Sequence, residues 1–161
     1  MYEYYVRKVE NVVDVLYDDL INHYNQKCQH IANDALPIIK NVFENQARQF
    51  DTIGVPFTDG IRGIQIGVNL QKAYESNGAE VIKSFEKFAN LHIIDDEWKE
   101  HLREMDELKQ SAQNAVLEQK DPLLIYKLES FNLFKDMLSR VNHEILSMLF
   151  RSFVPMQDTQ E

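Results

Sequence analysis

Apolar residues near the start of the chain recur in steps of three or four: Val6, Val9, Val13, Leu16, Leu20 and Tyr24. This period predicts an amphipathic helix, with Asp14, Asp18, Asp19 and Asn22 turned to water. A second helical run carries Ile31, Ala35, Ile38, Ile39, Val42 and Phe43, with Pro37 inside it. A proline within a helix removes one hydrogen bond and crowds the preceding turn, at a cost of about 3 kcal/mol. The helix either kinks there, or Asn33-Asp34 ends one helix and caps the next with Pro37 in its first turn. The second arrangement is the expectation.

The period then switches. Ile53, Val55 and Phe57 alternate with other residues, Thr58-Asp59-Gly60 follows, and Ile64, Ile66 and Val68 alternate again. Asp-Gly between two period-two runs predicts a β-hairpin over about 53–68. Pro56 marks its first strand as an edge strand. Two strands alone are marginal in water, so the hairpin must lie on something. Asn69 to Ser76 reads as a short helix with Leu70, Ala73 and Tyr74 inward. Ser76-Asn77-Gly78 closes it, Gly78 being left-handed if it is a C-cap.

From about Gly78 a stripe runs through Ile82, Phe85, Phe88, Leu91, Ile94, Trp98, Leu102, Met105, Leu108, Ala112 and Val116. Gln119-Lys120-Asp121-Pro122 interrupts it. Asp121 precedes proline, which disfavours helical backbone, and Asp followed by Pro is a good N-cap and first helical position. A return stripe follows: Leu124, Leu128, Phe131, Phe134, Leu138, Val141, Ile145 and Leu149. So short a connection makes two helices antiparallel neighbours. The expectation is a long helical hairpin between about Ser84 and Phe153. Each arm would be about 40 Å long, with the distal half projecting and Trp98 as a core anchor between the arms. The fold class is thus mainly α: a long antiparallel two-helix hairpin packed with further helices and one small β-hairpin. Residues 1–78 form a helical region with the β-hairpin, residues 79–153 the long hairpin, and residues 154–161 a polar tail expected to fray.

Composition narrows the function. Of 161 residues only five are Gly and four Pro, which suits long regular elements. A net charge of −9 argues against unaided binding to nucleic acid or anionic lipid. Cys28 is the single cysteine, so neither an internal disulfide nor a cysteine-based zinc site can form. Met1–Lys8 shows no signal-peptide pattern. No apolar run approaches the roughly 18 residues of a membrane span.

Candidate chemistry is sparse. No phosphate-binding loop motif occurs, and Gly60, Gly63 and Gly67 read as turn and strand glycines. Glu97, His101 and Glu104 share one helical face, which raises metal binding. The di-metal bundle pattern, however, needs Glu three residues before His, and that position is Trp98. A solvated charged face is the expectation, with no metal and no cofactor. Cys28 near His30 lacks an orienting third group, and His23 and His30 are too far apart for one ion. Residues 95–107 hold seven acids against Lys99 and Arg103. They make either a solvated face or an acidic surface for a basic partner.

The run Trp98-Lys99-Glu100-His101-Leu102-Arg103-Glu104-Met105-Asp106-Glu107-Leu108-Lys109-Gln110 resembles the start of the two-helix finger of the SecA preprotein translocase ATPase family. Gln119-Lys120-Asp121-Pro122, then Tyr126-Lys127-Leu128-Glu129-Ser130-Phe131 and Phe134, resemble its fingertip and return helix. Ile31-Ala32, Ala35, Pro37-Ile38-Ile39-Lys40 and Pro56-Phe57-Thr58-Asp59-Gly60 are similar to its helical wing. The resemblance covers about residues 25–155, leaving Met1–Tyr24 without a counterpart. That segment would stand in for the missing first scaffold helix and cover the apolar surface its absence exposes.

The resemblance implies a place in a protein-export motor. This chain would supply the wing and the second part of the helical scaffold, without the nucleotide-binding folds, and so would be no enzyme by itself. Val116, Leu117, Glu118, Gln119, Lys120, Asp121 and Pro122 would form a fingertip touching preprotein or the Sec membrane channel. Trp98, His101, Leu102 and Met105 would dock on the ATPase core. Many members carry an aromatic residue where this chain has Leu117, which departs from the family pattern and would keep an apolar contact without the ring. Implied partners are the motor, the channel and preprotein, at the cytoplasmic side of the inner membrane. Exposed scaffold surface leaves a homodimer open. The alternative is a free-standing interaction module, a truncated SecA paralogue that regulates the translocase or another partner.

Overall fold

A computed structural model describes residues 2–46, 50–60, 63–114 and 121–155. In chain order the elements are α1 (Tyr2–Gln46), β1 (Thr52–Thr58), β2 (Gly63–Asn69), α2 (Leu70–Glu75), α3 (Ala79–Asn114) and α4 (Pro122–Arg151). They fall into two compact units. One runs to Phe85 and takes the chain back from Phe153; the other is Glu86–Ser152. The mainly helical fold with one small β-hairpin is as the sequence predicts.

The division of the first helical region at Asn33-Asp34 is overturned, because α1 is one helix of 45 residues that passes through Pro37. The reason lies in which side Pro37 occupies. Ile31, Ala35 and Ile39, on either side of it in sequence, are all buried. Pro37 itself is exposed, as is Asn33, whose carbonyl loses its helical donor. Water can satisfy that carbonyl, while continuous burial on the opposite face offsets the cost of the proline. Ile38, read from sequence as inward, is exposed. So are Val13, Leu16 and Leu20, so the predicted stripe of residues 13–20 buries little.

In the β-hairpin, β1 and β2 pair antiparallel with Val55 opposite Ile66 and Phe57 opposite Ile64. Val55, Phe57, Ile66 and Val68 are buried, so one face of the ribbon belongs to the core. Gly60, in the connection, takes φ +89°, and its N–H donates to Thr58 Oγ1 at 3.1 Å. The ribbon's support comes from the helices. Phe57 stacks on Phe85 of α3 with ring centroids 4.3 Å apart. Burying rings of this size contributes about 2–3 kcal/mol each.

Helix α2 begins where β2 ends. Asn69 Oδ1 accepts from the Lys72 N–H at 2.9 Å, and the Leu70 N–H donates to the Asp51 carbonyl at 3.0 Å, tying the helix start to the start of β1. Leu70 and Ala73 are buried, and Tyr74 stacks on Phe43 of α1 at 4.1 Å. Asn77 and Gly78 both take positive φ, and the Gly78 N–H donates to the Ala73 carbonyl, so Gly78 is a left-handed cap as expected. Ser76 Oγ then accepts from Glu80 N–H, opening α3 one turn later.

The chain after α4 does not fray at once. Phe153 forms a β-bridge with Thr58, exchanging both backbone hydrogen bonds at 2.8 and 2.9 Å. Val154 and Pro155 are half-buried.

Candidate functional site

In the second unit, α3 and α4 supply the predicted hairpin. Their 36 and 30 residues correspond to about 54 and about 45 Å of helix axis, longer than the sequence estimate. Asp121 caps α4, its Oδ1 accepting from the Leu123 N–H at 2.9 Å, and Pro122 occupies the first turn. The chain turns here for the reason read from sequence: the aspartate satisfies an orphan N–H and the proline has none to satisfy. Val116, Leu117, Glu118, Gln119 and Lys120 lie outside the described residues.

Side chains from the two helices meet in antiparallel order. Glu97 and Glu104 of α3 both face Arg140 of α4, while His101 between them meets Phe134 edge-on at 6.0 Å. Arg140 Nε donates to Glu97 Oε2 at 2.7 Å and its Nη2 to Glu104 Oε2 at 3.2 Å. The hydrogen bond to Glu97, foremost, raises the Arg140 guanidinium further above its ordinary range, with desolvation opposing. The solvated face expected for Glu97, His101 and Glu104 is therefore corrected: they point at the other arm, and both carboxylates are engaged by one guanidinium. His101 is 5% exposed, and its Nδ1 has no hydrogen-bond partner among the described residues. Among the described residues no group of three or more His, Cys, Asp or Glu side chains is placed to hold a metal ion.

Trp98 is not the anchor between the arms. It is 46% exposed, and its ring lies 5.5 Å from that of His101. Among the described residues of this unit the buried positions are Ala89, His101, Ala112, Met137, Val141 and Ser152. The predicted stripes lie partly on an uncovered side: Leu91, Ile94, Trp98 and Leu102 of α3 are exposed, as are Leu124, Leu128, Phe131, Phe134 and Leu138 of α4. Met105 is half-buried. So of the four docking residues expected from sequence, Trp98 and Leu102 offer surface, Met105 offers part of one, and His101 offers none.

The acidic run of residues 95–107 divides by direction. Glu97 and Glu104 face Arg140. Asp95 and Asp96 engage Lys99, and Glu100 and Glu107 engage Arg103, all along one helix. These exposed pairs hold the Lys99 and Arg103 pKa values above their ordinary range, in each case chiefly through the hydrogen bond they donate, to Asp95 and Glu100 respectively.

Arg140 was not singled out by sequence, although a signal was there. Two acids seven residues apart on one helical face call for a cation on the facing arm. Arg140 lies about as far past the Asp121-Pro122 turn as Glu104 lies before it. Among the described residues no helix is long and apolar enough to cross a membrane.

The chain matches the family model described as "SecA Wing and Scaffold domain" over residues 2–152. It is 50% identical over 153 residues to the protein translocase subunit SecA of Christiangramia forsetii, covering 95% of this chain and 14% of that protein. It is 53% identical over 135 residues to the SecA subunit of Flavobacterium psychrophilum, covering 84% and 12%. For the SecA subunit of Phocaeicola vulgatus the identity is 46% over 159 residues, covering 99% and 14%. This chain therefore spans about one seventh of the length of such relatives. No solved structure matches it. The match begins at residue 2, which corrects the expectation that Met1–Tyr24 has no counterpart in the family. With the model matched across almost all of its length, the chain belongs to the SecA wing and scaffold domain family.

Proposed function

We propose that this chain acts as a non-catalytic helical module of a SecA-like protein-export motor. The observation that carries the reading is the apolar ladder left uncovered on the long helices: Leu91, Ile94, Trp98 and Leu102 on α3, and Leu124, Leu128, Phe131 and Leu138 on α4. Apolar side chains repeated at three- and four-residue steps on an exposed helix face lose free energy in water until a partner covers them. The partner is the ATPase core of the motor, met by Trp98 and Leu102 with Met105 at the margin. His101 supports Trp98 from beneath. Residues 1–78 serve as the wing and residues 79–153 as scaffold and finger.

The turn from Val116 through Leu117, Glu118, Gln119, Lys120 and Asp121 to Pro122 is the contact to preprotein or to the Sec channel. The task is mechanical: the module transmits motion generated elsewhere and turns over no ATP. It works at the cytoplasmic side of the membrane, peripheral to the channel.

The test uses the SecA subunit of Christiangramia forsetii with its matching segment removed. The purified chain should bind this core and restore ATP-driven translocation of a preprotein into vesicles. A Trp98→Asp, Leu102→Asp variant should lose binding by tenfold or more while keeping its helix content, and Leu117→Asp should keep binding but lose cross-linking to preprotein or channel. Failure of the wild-type chain to bind the core, or ATP turnover by the chain alone, refutes the reading.

A further inference from the structure

The β-ribbon of the first unit has two outer edges, and they differ. The Thr58 N–H and C=O both turn to Phe153, away from β2. Along an extended strand these groups alternate sides, so Gly54 and Pro56 also face out of β1, while Ile53, Val55 and Phe57 bond to β2. The register then makes Ile64, Ile66 and Val68 the inward residues of β2, and Gly63, Gln65, Gly67 and Asn69 the outward ones. The Leu70 N–H bond to the Asp51 carbonyl continues the same alternation.

The edge of β1 is guarded. Phe153 closes one end of it, and Pro56 offers no N–H in its middle. The edge of β2 has neither device. Its seven residues, Gly63 to Asn69, include no proline and no charge. Gly63, Gln65, Gly67 and Asn69 are exposed. Among the described residues the backbone groups of Gln65 and Gly67 have no third strand to bond to. The Gln65 side chain leans back across the ribbon: a Cβ on Gly54 would lie 2.5 Å from its Nε2. It therefore leaves the outer edge clear. An open, uncharged edge of this kind is a template for a further strand.

We infer that β2 pairs with β2 of a second copy of this chain, antiparallel about a two-fold axis at Ile66, so that two ribbons make one four-stranded sheet. Two observations favour a copy as the occupant. The first is charge. At net −9 two copies repel over most of their surface, and the uncharged run 63–71 gives them a place to meet. The second is register. With the axis at Ile66 every residue of the strand has a counterpart: Gly63 opposite Asn69, Ile64 opposite Val68, Gln65 opposite Gly67, and Ile66 opposite itself. The outward N–H and C=O groups of Gln65 and Gly67 then bond across the axis. Apolar side chains meet apolar ones, and each Gln65 faces a glycine instead of a second long side chain. An axis at Gln65 or Gly67 pairs fewer residues. The strand is only about 24 Å long, so the contact is smaller than a standard interface and the dimer is weak, with Kd about 10–100 μM. The inference is independent of the docking face on α3 and α4, and its failure would leave that reading intact.

The experiment follows the 161-residue chain from about 5 μM to about 1 mM by sedimentation equilibrium and by NMR amide exchange. Expected is a monomer–dimer equilibrium in which the Gln65 and Gly67 amides gain protection as concentration rises, while Ile64, Ile66 and Val68 are protected throughout. Gln65→Pro sets on β2 the device that Pro56, directly opposite, already supplies on β1, and should weaken the dimer about tenfold. Gln65→Lys leaves every backbone group in place and brings two ammonium groups close to the axis. It should weaken the dimer more at low salt than at high salt. A chain that stays monomeric at the highest concentration overturns the proposal. So does a dimer whose Gln65 and Gly67 amides exchange as in the monomer, which would put the contact elsewhere. Protection that appears only on adding a blocked peptide of alternating valine and threonine would give the edge to another protein's extended segment, and overturns it as well.

Discussion

Arg140 of α4 donates its Nε hydrogen to Glu97 of α3 over 2.7 Å, while its Nη2 reaches Glu104 two helical turns further along the same helix. One guanidinium thus reads the register of the two arms. A slip of α4 by one turn, about 5.4 Å, would break both bonds. All three side chains are half-buried, so solvent and salt screen part of the attraction. Arg140→Ala should lower unfolding free energy by about 1–2 kcal/mol, because it leaves two carboxylates facing each other. Arg140→Lys should recover only part of this, since an ammonium lacks the fork that spans both acids. Denaturant melts of Arg140→Ala, Glu97→Gln and the double variant check it. The double variant should lose less than the two singles together, and the difference should shrink in high salt.

Two glycines with almost the same backbone conformation should behave differently. Gly60 and Gly78 both have φ near +90°, where a side chain is strained. A Cβ on Gly60 would meet nothing within 4 Å, whereas one on Gly78 would lie 2.6 Å from the Ala32 carbonyl oxygen of α1. Gly60→Ala should therefore cost about 1 kcal/mol, the conformational part alone. Gly78→Ala should cost about 3 kcal/mol or force α1 away from the α2–α3 corner. Chemical denaturation of the two variants side by side separates strain from collision.

The residues that announced themselves in sequence are those whose chemistry is local. Asp121 with Pro122, Asp59 with Gly60, and Asn77 with Gly78 each fix the backbone within a few positions, and the turns and caps sit where the sequence puts them. Period was a good guide to element type and a poorer guide to facing. The stripe through Trp98 and Leu102 is helical as expected, yet it leaves Trp98 half in water and puts His101 inside. Three- and four-residue steps identify an apolar side of a helix but not what covers it, and a face meant for another protein reads like a core face. Pro37 misled for a related reason. Its cost is local and visible in sequence, whereas the burial of Ile31, Ala35 and Ile39 that carries α1 through it is tertiary.

Acid should act on the exposed network around Arg103 in a defined direction. The hydrogen bond from Arg103, foremost, lowers the Glu100 carboxyl pKa below its ordinary value. A carboxylate with a depressed folded-state pKa contributes its stability above its unfolded value. That contribution is lost as pH falls through the folded-state value. The group is open to solvent, so the effect on folding should be small and visible mainly in the titration itself. Carbon-13 NMR should find Glu100 titrating below an unperturbed glutamate, and Arg103→Gln should move it back up. An unchanged Glu100 titration in that variant would show that the pairing does not persist in solution.

His101 offers the sharpest test of how the hairpin is held. It is the buried member of the Glu97, His101, Glu104 face, and its Nδ1 is enclosed without a hydrogen-bond partner among the described residues. An enclosed, unpaired polar atom costs about 1–3 kcal/mol, so an apolar side chain of similar reach should remove a penalty. His101→Leu is expected to leave thermal stability unchanged or to raise it by a few degrees. It keeps contact with Phe134 while losing the ring beneath Trp98. His101→Asp places a third carboxylate beside Glu97 and Glu104, with one Arg140 to share, and should melt well below the wild type. Calorimetry of the two variants decides the matter. A marked loss of stability in His101→Leu would mean that the imidazole has a polar partner in solution and is held for its hydrogen bond. An unchanged melt together with weakened binding to the motor core would instead place its value in the support it gives Trp98.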